Sequence, residues 1–476
     1  AFPFHVGSRP RFGRDSALGG GTESAEGLRM AEVEECICIH PKKRRARWLL
    51  LAGACVVAGL ALLWWRHINT VPRYAMPRPA LPQPNAFDYY LSAGDALDSL
   101  RGYPLVQSPS TSPEYLALVV EANKPALATF RAGLRYSFLT PPPDPQALAY
   151  RFPYLESFER LGYLLWAESR ASLAIDDVEG ALESALLLIR LGIDISRGGL
   201  LTHVQVGRAI EQRGLAQLAV VGKELDAQQC RKVLHRLREL EARRPPLTEA
   251  IHRERDLLRE FLWRLSCRQP DAIYALDTFL RRRWSSGPRL LYLINLRGAH
   301  DQLVQRADEA ARLSALPAGQ RAPLTPATSP LLERLDLVDR LHFALEGETI
   351  LRARSRLLQT ALALRAYRLE QGRSPDSLED LVPRYLPSVP LDPYGEGGPM
   401  RYEPRPEPHA YSLGPDGTDD GGRTLPWRSL TRANYPPEGD LKVILGEYDM
   451  WRSGSPRMPR SAFRDPPRPP HPAHPR

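Results

Sequence analysis

The residues in this chain best suited to chemistry are three carboxylates on a glycine-rich loop near the C-terminal end. The loop runs Ser412-Leu-Gly-Pro-Asp-Gly-Thr-Asp-Asp-Gly-Gly422 and carries Asp416, Asp419 and Asp420. A hard cation such as calcium takes about six to eight oxygen ligands. Carboxylates this close together on a pliable loop could wrap such an ion. The alternative is a polar surface turn that holds no ligand.

Elsewhere the sequence has few residues at spacings typical of catalysis. It contains no Gly-x-Ser-x-Gly elbow, phosphate-binding loop or dinucleotide fingerprint, and no two histidines at the His-x-x-x-His spacing of a helical metal site. We expect His203 and His342 to be buried, hydrogen-bonded core residues. The charged cluster from Arg255 to Glu260 is expected to face solvent, with Asp256 and Arg259 paired. The chain is therefore not predicted to be an enzyme.

The elements that position the acidic loop can be followed from the preceding helix. Gly372 suits the left-handed residue that closes a helix. Ser374 and Pro375 then predict the start of a second short helix, which Pro383 ends. Further prolines keep the chain extended. Two short strands are predicted before the loop, over Met400–Glu403 and His409–Leu413.

The helix before Gly372 has a wide apolar stripe, formed by Leu351, Leu358, Leu362 and Leu369 with an adjoining row. We predict one long helix over 331–371, with a break near Gly347. Burial of this stripe would join the helical body to the C-terminal strands.

This C-terminal segment resembles the C-terminal half of the major pseudopilin of bacterial type II secretion systems. The resemblance covers residues 361–427 of the 476. In that family the acidic loop binds calcium and stabilises the small sheet, so the resemblance implies calcium as a cofactor and Asp416, Asp419 and Asp420 as its ligands. The matching residues are Gly372-Arg373, Ser377–Pro383, Tyr385–Pro387, Pro390–Gly395, Tyr402 and Tyr411–Gly417.

Two features differ from that family. Its members carry a peptidase site and a glutamate at the start of the hydrophobic helix, whereas this chain enters its hydrophobic segment without a glutamate. The family also runs its membrane helix directly into the C-terminal module, whereas here a long stretch intervenes. We therefore predict a pseudopilin-like module joined to a different protein.

A second strong feature is the apolar segment Trp48–Trp65, which carries no charge. At about 1.5 Å rise per residue it would be about 27 Å long, close to one bilayer core. Basic residues at 42–45 and 47 precede it, and tryptophans stand at both ends. The alternatives are a signal peptide and a buried soluble helix. We predict a single membrane span contacting lipid through residues 48–65, with the N-terminus inside and the bulk outside the cytoplasm.

The remaining sequence predicts a mainly α fold: one N-terminal transmembrane helix, a multi-helical ectodomain and a small α+β C-terminal module. One turn near Asp176 resembles that of a tetratricopeptide repeat, but no sustained period follows, so a helical bundle is favoured. Met30 is a position at which the natural chain could start. The predicted regions are 1–47, a disordered cytoplasmic tail; 48–65, the span; 66–84, a Pro-rich spacer that lifts the domain off the bilayer; 85–345, the helical ectodomain; 346–450, a long helix with the pseudopilin-like module; and 451–476, a disordered Pro/Arg-rich tail.

Composition supports a folded body, because 43% of the residues are hydrophobic. The net charge of +9 does not indicate a nucleic-acid partner, since the basic residues are dispersed and only six of the 64 are lysine. Outside the span and the tail, Cys230 and Cys267 could form a disulfide or remain two buried thiols.

Three functions remain open from sequence. The favoured one is a membrane-anchored protein of the bacterial inner membrane that binds or scaffolds an envelope protein partner. The second is a component or relative of the type II secretion or pilus machinery. The third is an envelope enzyme whose site is assembled from distant residues, which a deep pocket with perturbed carboxylates would favour.

Overall fold

A computed structural model of the chain describes residues 41–97, 111–143, 152–283, 295–405, 407–423 and 439–446. Residues 1–40 of the predicted N-terminal tail and the whole predicted tail 451–476 lie outside these residues. The fold is mainly helical. The helices are α1 Pro41–Asn69, α2 Ala86–Asp95, α3 Pro113–Ala122, α4 Lys124–Gly133, α5 Pro153–Ala174, α6 Val178–Ser196, α7 Leu201–Gly222, α8 Ala227–Ala242, α9 Leu247–Ser266, α10 Pro270–Arg283, α11 Leu296–Leu313, α12 Pro330–Arg334 and α13 Leu337–Gln371.

Helix α1 contains the predicted span and is longer than expected at both ends. Within the described residues it is the one helix long and apolar enough to cross a membrane, over Trp48–Asn69, and none of that stretch is buried by protein. Leu49 and Leu62 are 74% and 68% exposed. The alternative of a buried soluble helix is therefore wrong.

Several helix starts follow from side chains that cap free backbone N–H groups. Asn85 caps α2 by accepting a hydrogen bond from the Phe87 N–H at 3.1 Å. Ser112 caps α3 by accepting from the Tyr115 N–H at 3.3 Å. Asp226 and Gln229 form a reciprocal capping box at the start of α8. Local chemistry thus fixes where these helices begin.

Helices α6 and α7 pack along their length, and two glycines allow their closest approach. A Cβ atom built on Gly207 would lie 2.4 Å from the carbonyl oxygen of Gly192. A Cβ atom built on Gly192 would lie 2.4 Å from the carbonyl oxygen of Gly207. No side chain fits between these backbones. The close helix contact is therefore made by these two glycines. It is not made by Ala171 and Ala174 near the repeat-like turn, which are not fully buried.

The described residues from 66 onward form three apolar clusters. The N-terminal core lies between α2 and α7 and holds four of the five largest fully buried rings among the described residues, Tyr90, Phe130, Phe158 and Trp166. The middle core joins α7 and α9–α13, and includes Ile251, Phe261 and Leu303. The C-terminal core joins α6, α7, α8 and α13 to the sheet, and includes Leu234, Leu358 and Leu381.

Helix α13 continues through Gly347, so the break predicted there is wrong. The interruption lies earlier, at Asp336, whose φ of 49° separates α12 from α13. Gly347 has a packing role, because a Cβ there would lie 3.0 Å from Nη1 of Arg208. The stripe prediction holds for Leu351, Leu358 and Leu362, which are buried. Leu369 is half exposed, because it lies near the end of the helix.

The predicted Pro-rich spacer is instead a strap, residues 70–84, that packs along the helical body. Val71 and Met76 are buried in the middle and N-terminal cores. The Met76 N–H donates to Oε2 of Glu260 on α9 at 2.9 Å. The guanidinium of Arg259 lies 3.9 Å from the centre of the Tyr74 ring. Apolar side chains and a buried carboxylate therefore hold this segment, and it does not stand free as a spacer.

The C-terminal region contains a three-stranded antiparallel sheet, β1 Arg401–Glu403, β2 His409–Ser412 and β3 Leu441–Lys442, in the order β1-β2-β3. The first two strands were predicted and the third was not. Gly372 ends α13 with φ 67°, as expected. The predicted second helix is one 3₁₀ turn, Leu378–Leu381, capped by Ser377 rather than Ser374. The predicted boundary between the helical ectodomain and the C-terminal region, at residues 345/346, falls inside α13.

Both cysteines of the body carry free thiols. Cys230 is buried in the C-terminal core, whereas Cys267 is exposed. Neither of the two possibilities left open, a disulfide or two buried thiols, describes them.

Candidate functional site

Asp392 organises the C-terminal region. It lies in the Pro390–Gly395 segment and is buried. Its Oδ1 atom accepts hydrogen bonds from the Tyr394 N–H at 2.9 Å and from the Ser412 hydroxyl at 2.5 Å. Its Oδ2 atom accepts from the Leu413 N–H at 2.9 Å. One carboxylate thus fixes the end of β2, from which the acidic loop departs.

Asp416 and Asp419 of the acidic loop mainly bind backbone N–H groups. Asp416 accepts from Thr418 at 3.1 Å with Oδ1 and from Gly439 at 2.8 Å with Oδ2. Asp419 Oδ1 accepts from the Gly421 N–H and the Tyr411 hydroxyl, both at 3.1 Å. These are the bonds by which Asp side chains stabilise turns.

Sequence reasoning missed a fourth carboxylate, Asp440, which is buried next to the loop. Its Oδ2 atom accepts from the N–H groups of Asp420 and Gly422 at 3.0 and 2.8 Å. Its Oδ1 atom is buried and has no hydrogen-bond partner among the described residues. Burial raises the pKa of Asp440. The sequence signal was weak, because Asp440 lies far along the chain from the other three.

The fit of calcium to these residues can be judged from their contacts. The described residues contain no group of three His, Cys, Asp or Glu side chains placed to hold a metal ion. Both oxygens of Asp416 and of Asp419 are already bonded within the region, Asp419 Oδ2 to Arg401 at 3.3 Å. In this arrangement the three predicted ligands do not form a cation site. Calcium therefore stays a prediction from the resemblance.

A different site lies between the end of α8 and α13. It is a cleft of about 300 Å³ lined mainly by charged side chains. The lining residues are Glu241, Arg244, Pro245, Pro246, Glu348, Arg352 and Arg356. Sequence reasoning did not identify it, although arginines at 352 and 356 stand one helical turn apart and so share a face of α13.

Glu348 is the central carboxylate of the cleft. Its Oε2 atom binds Nη2 of Arg208 at 2.7 Å, and its Oε1 atom binds Nε of Arg352 at 2.8 Å. Burial alone would raise its pKa, but Arg208, Arg352 and Arg244 outweigh that effect and lower the pKa to about 2. Glu348 is therefore ionised at neutral pH and engaged on both oxygens.

Two further carboxylates near the cleft are also engaged. Arg244 forms a buried ion pair with Glu211, and Glu241 accepts a hydrogen bond from the Ser355 hydroxyl. Burial would lower the pKa of Arg244, but Glu211 and Glu348 outweigh it and raise the pKa. This guanidinium is therefore charged, and its charge is matched by its partners.

Arg356 differs from the other arginines of the cleft. It donates a hydrogen bond to the Leu391 carbonyl oxygen at 2.7 Å. No carboxylate of the described residues lies within ion-pair distance of it. Burial lowers the pKa of Arg356, and the nearby positive charge of Arg352 lowers it further. Arg356 thus has no ion pair among the described residues, although Glu241 and Asp392 offset part of its charge through space.

His203 is the buried, hydrogen-bonded residue that was predicted. Its Nδ1 atom accepts from the Leu200 N–H at 3.1 Å, so Nε2 carries the proton and donates to the Tyr154 hydroxyl at 2.7 Å. Burial, with Arg253 nearby, lowers its pKa to about 3. His342 is only partly buried.

The predicted solvated face from Arg255 to Glu260 instead packs against other elements. Arg255 pairs with Asp308 at 2.9 Å, which joins α9 to α11. Glu260 and Arg259 hold the strap. These charges are structural because their partners lie on different helices and on the strap.

No protein-family model, no curated protein and no solved structure matches this chain, so its function is argued from its own residues.

Proposed function

We propose that this chain is a single-pass protein of the bacterial inner membrane that binds or scaffolds other envelope components. Helix α1 would be the anchor, with the N-terminus inside. The body from residue 66 onward would lie outside the cytoplasm and present the binding surfaces.

The observation that carries the proposal is the exposed apolar surface of α1. The candidate span is the 22-residue stretch Trp48–Asn69; its apolar 18-residue window has a mean hydropathy of 2.1, and no residue of that window is buried by protein. At about 1.5 Å per residue this stretch would be about 33 Å long, enough for one bilayer. Each exposed Leu or Val would lose about 1.5–3 kcal/mol of burial free energy if left in water. Lipid is the partner that matches such a surface.

The anchor can be tested by fractionation of cells that express the full chain. We expect the protein in the membrane pellet after a carbonate wash. Replacing Val57 and Leu60 by Arg should move much of it to the soluble fraction, because each charge costs about 2.5–3.5 kcal/mol at the centre of a span. Leu118→Arg is the matched control, since Leu118 is 70% exposed but lies on α3.

Topology needs a separate measurement. An alkaline phosphatase fusion at the C-terminal end should be active and a cytoplasmic fluorescent reporter dark. The reverse pattern, or release of the wild-type chain by carbonate, would overturn the proposal.

One observation favours the second candidate, a relative of the secretion machinery. Two segments that carry the resemblance, Pro390–Gly395 and Tyr411–Gly417, contact each other through Asp392. Co-purification of the full chain with secretion components from membranes would support this function. Their absence from a cross-linked membrane preparation would favour a separate scaffold.

Binding fits the cleft better than catalysis. Its central carboxylate, Glu348, is held ionised by three arginines and bonds with both oxygens. A general acid or base needs a pKa near the working pH and a free oxygen.

A further inference from the structure

The cleft beside α13 has the arrangement of an anion receptor. Arg352 and Arg356 stand one turn apart on α13 and both line the same cleft of about 300 Å³. Residues at this spacing lie on one helix face, so two guanidinium groups approach the same space. Arg352 is 41% exposed on its side chain, so it can reach a ligand that enters the cleft.

The ion pairs of the cleft leave Arg356 without a contacting carboxylate among the described residues, although Glu241 and Asp392 act on it through space. Glu348 is shared between Arg208 and Arg352, and Glu211 is bound to Arg244. Arg356 contacts only a backbone carbonyl oxygen among the described residues, 2.7 Å away.

A further arginine lies near the cleft. Arg321 on the neighbouring loop bonds to the Thr349 hydroxyl at 2.7 Å. Its charge is attracted by Glu346 and repelled, more weakly, by Arg352. An anion placed between the guanidinium groups would relieve this repulsion.

We propose that the cleft between α8 and α13 binds a phosphate group through Arg352 and Arg356. Guanidinium groups present paired N–H donors that match the oxygens of phosphate. A dianion suits the site better than a single carboxylate, because two guanidinium groups approach the same space. The volume is at the small end of the range for ligand sites, so the ligand is a phosphorylated small molecule or inorganic phosphate.

This site is independent of the membrane anchor, because every residue in it lies in the body after residue 66. The test uses the full chain in detergent and inorganic phosphate as the probe. Phosphate is titrated at about pH 8, where its second proton is lost, against acetate at matched ionic strength. Calorimetry and the melting temperature are measured together.

We expect saturable phosphate binding by the wild type and at least roughly tenfold weaker binding by Arg356→Gln, since one charge-assisted pair of bonds is lost. The phosphate affinity of Arg356→Lys should lie between those of the wild type and Arg356→Gln, because lysine keeps the positive charge but lacks the paired N–H donors of a guanidinium group. Arg236→Gln is the matched control, with a side chain 45% exposed on α8 outside the cleft, and it should bind as the wild type does.

Three outcomes would overturn the proposal: no saturable phosphate binding by the wild type, equal binding by Arg356→Gln, or acetate binding as tight as phosphate. If Arg356→Gln does not fold, as judged by circular dichroism, Arg356→Lys and Arg352→Gln decide the matter by the same criteria.

Discussion

The Ser412 hydroxyl donates a hydrogen bond of 2.5 Å to Oδ1 of Asp392, and both residues are buried. The contact joins the Pro390–Gly395 segment to the last residue of β2. The same carboxylate also binds the N–H groups of Tyr394 and Leu413. The direction in which the acidic loop leaves the sheet therefore depends on one side chain.

Replacing Asp392 by Ala should destabilise the protein. The change leaves two N–H groups and one hydroxyl without their acceptor, and hydrogen bonds to charged groups contribute about 1.5–3 kcal/mol each. We expect the free energy of unfolding to fall by about 3 kcal/mol in urea denaturation of the full chain. Asp376→Ala is the control, because Asp376 is 87% exposed. Equal stability of the two variants would contradict the central role of Asp392.

The approach of α6 to α7 gives a second prediction. A methyl group on Gly207 would lie 2.4 Å from the Gly192 oxygen, and neither backbone can move without separating the helices. Gly207→Ala should therefore cost about 2–3 kcal/mol, the upper part of the range for overpacking. Gly398→Ala, where no atom lies within 4 Å, should change stability by less than about 0.5 kcal/mol. A neutral Gly207→Ala in thermal unfolding would show that the helices are not in this contact.

His203 predicts how stability depends on pH. Its pKa is 6.5 in the unfolded chain and about 3 in the fold, where burial disfavours the charged ring. Between these values the unfolded state binds more protons, so acid destabilises the fold. The His203 contribution is complete above pH 6.5 and is lost as the pH falls towards 3, by up to about 1.4 kcal/mol per pH unit.

The measurement is urea denaturation of wild type and His203→Gln between about pH 7 and 5. The variant should show a flatter dependence in this window. Glu348 also makes the fold less stable in acid, but over a lower pH range, because its pKa falls from its ordinary value of 4.5 to about 2 in the fold. Identical slopes above pH 5 would show that His203 titrates normally in the fold.

The acidic loop gives a prediction that separates calcium from hydrogen bonding. Asp416→Ala removes acceptors from the Thr418 and Gly439 N–H groups and should cost about 1–2 kcal/mol in either case. The resemblance further predicts that a chelator lowers the melting temperature of the wild type and that calcium restores it. If neither the chelator nor calcium changes the melting temperature of the wild type, the loop is stabilised by its hydrogen bonds alone.

The strap predicts a change in protease sensitivity. Glu260→Ala removes the acceptor of the Met76 N–H, so trypsin should cut after Arg73 several-fold faster. Asp271→Ala is the control, because Asp271 also pairs with Arg264 but does not touch the strap. Equal cleavage rates in these two variants would mean that the buried carboxylate does not hold the segment.

Sequence predicted the features that depend on neighbouring residues. The terminator Gly372 was predicted because it acts within one turn of its own position. The buried stripe of α13 was visible for the same reason, since it follows helical periodicity.

Features that depend on distant partners were not predicted. Gly347 was expected to break a helix, because nothing local shows that Arg208 packs against it. Glu260 was expected to face solvent, because its partner, the Met76 N–H, is 184 residues away. The cleft was not predicted, because its charged residues lie on separate helices. Asp440 was not predicted, because only folding brings it next to the acidic loop.

Helix α13 is shared by two of the cores. Leu341 and Leu345 contribute to the middle core, and Leu351 and Leu358 to the C-terminal core. A chain shortened at residue 345 would therefore keep the residues that α13 gives to the middle core and lose those that it gives to the C-terminal core, and the cut would fall inside one continuous helix. The segment that contains α13 therefore has to be expressed as one piece for both cores to form.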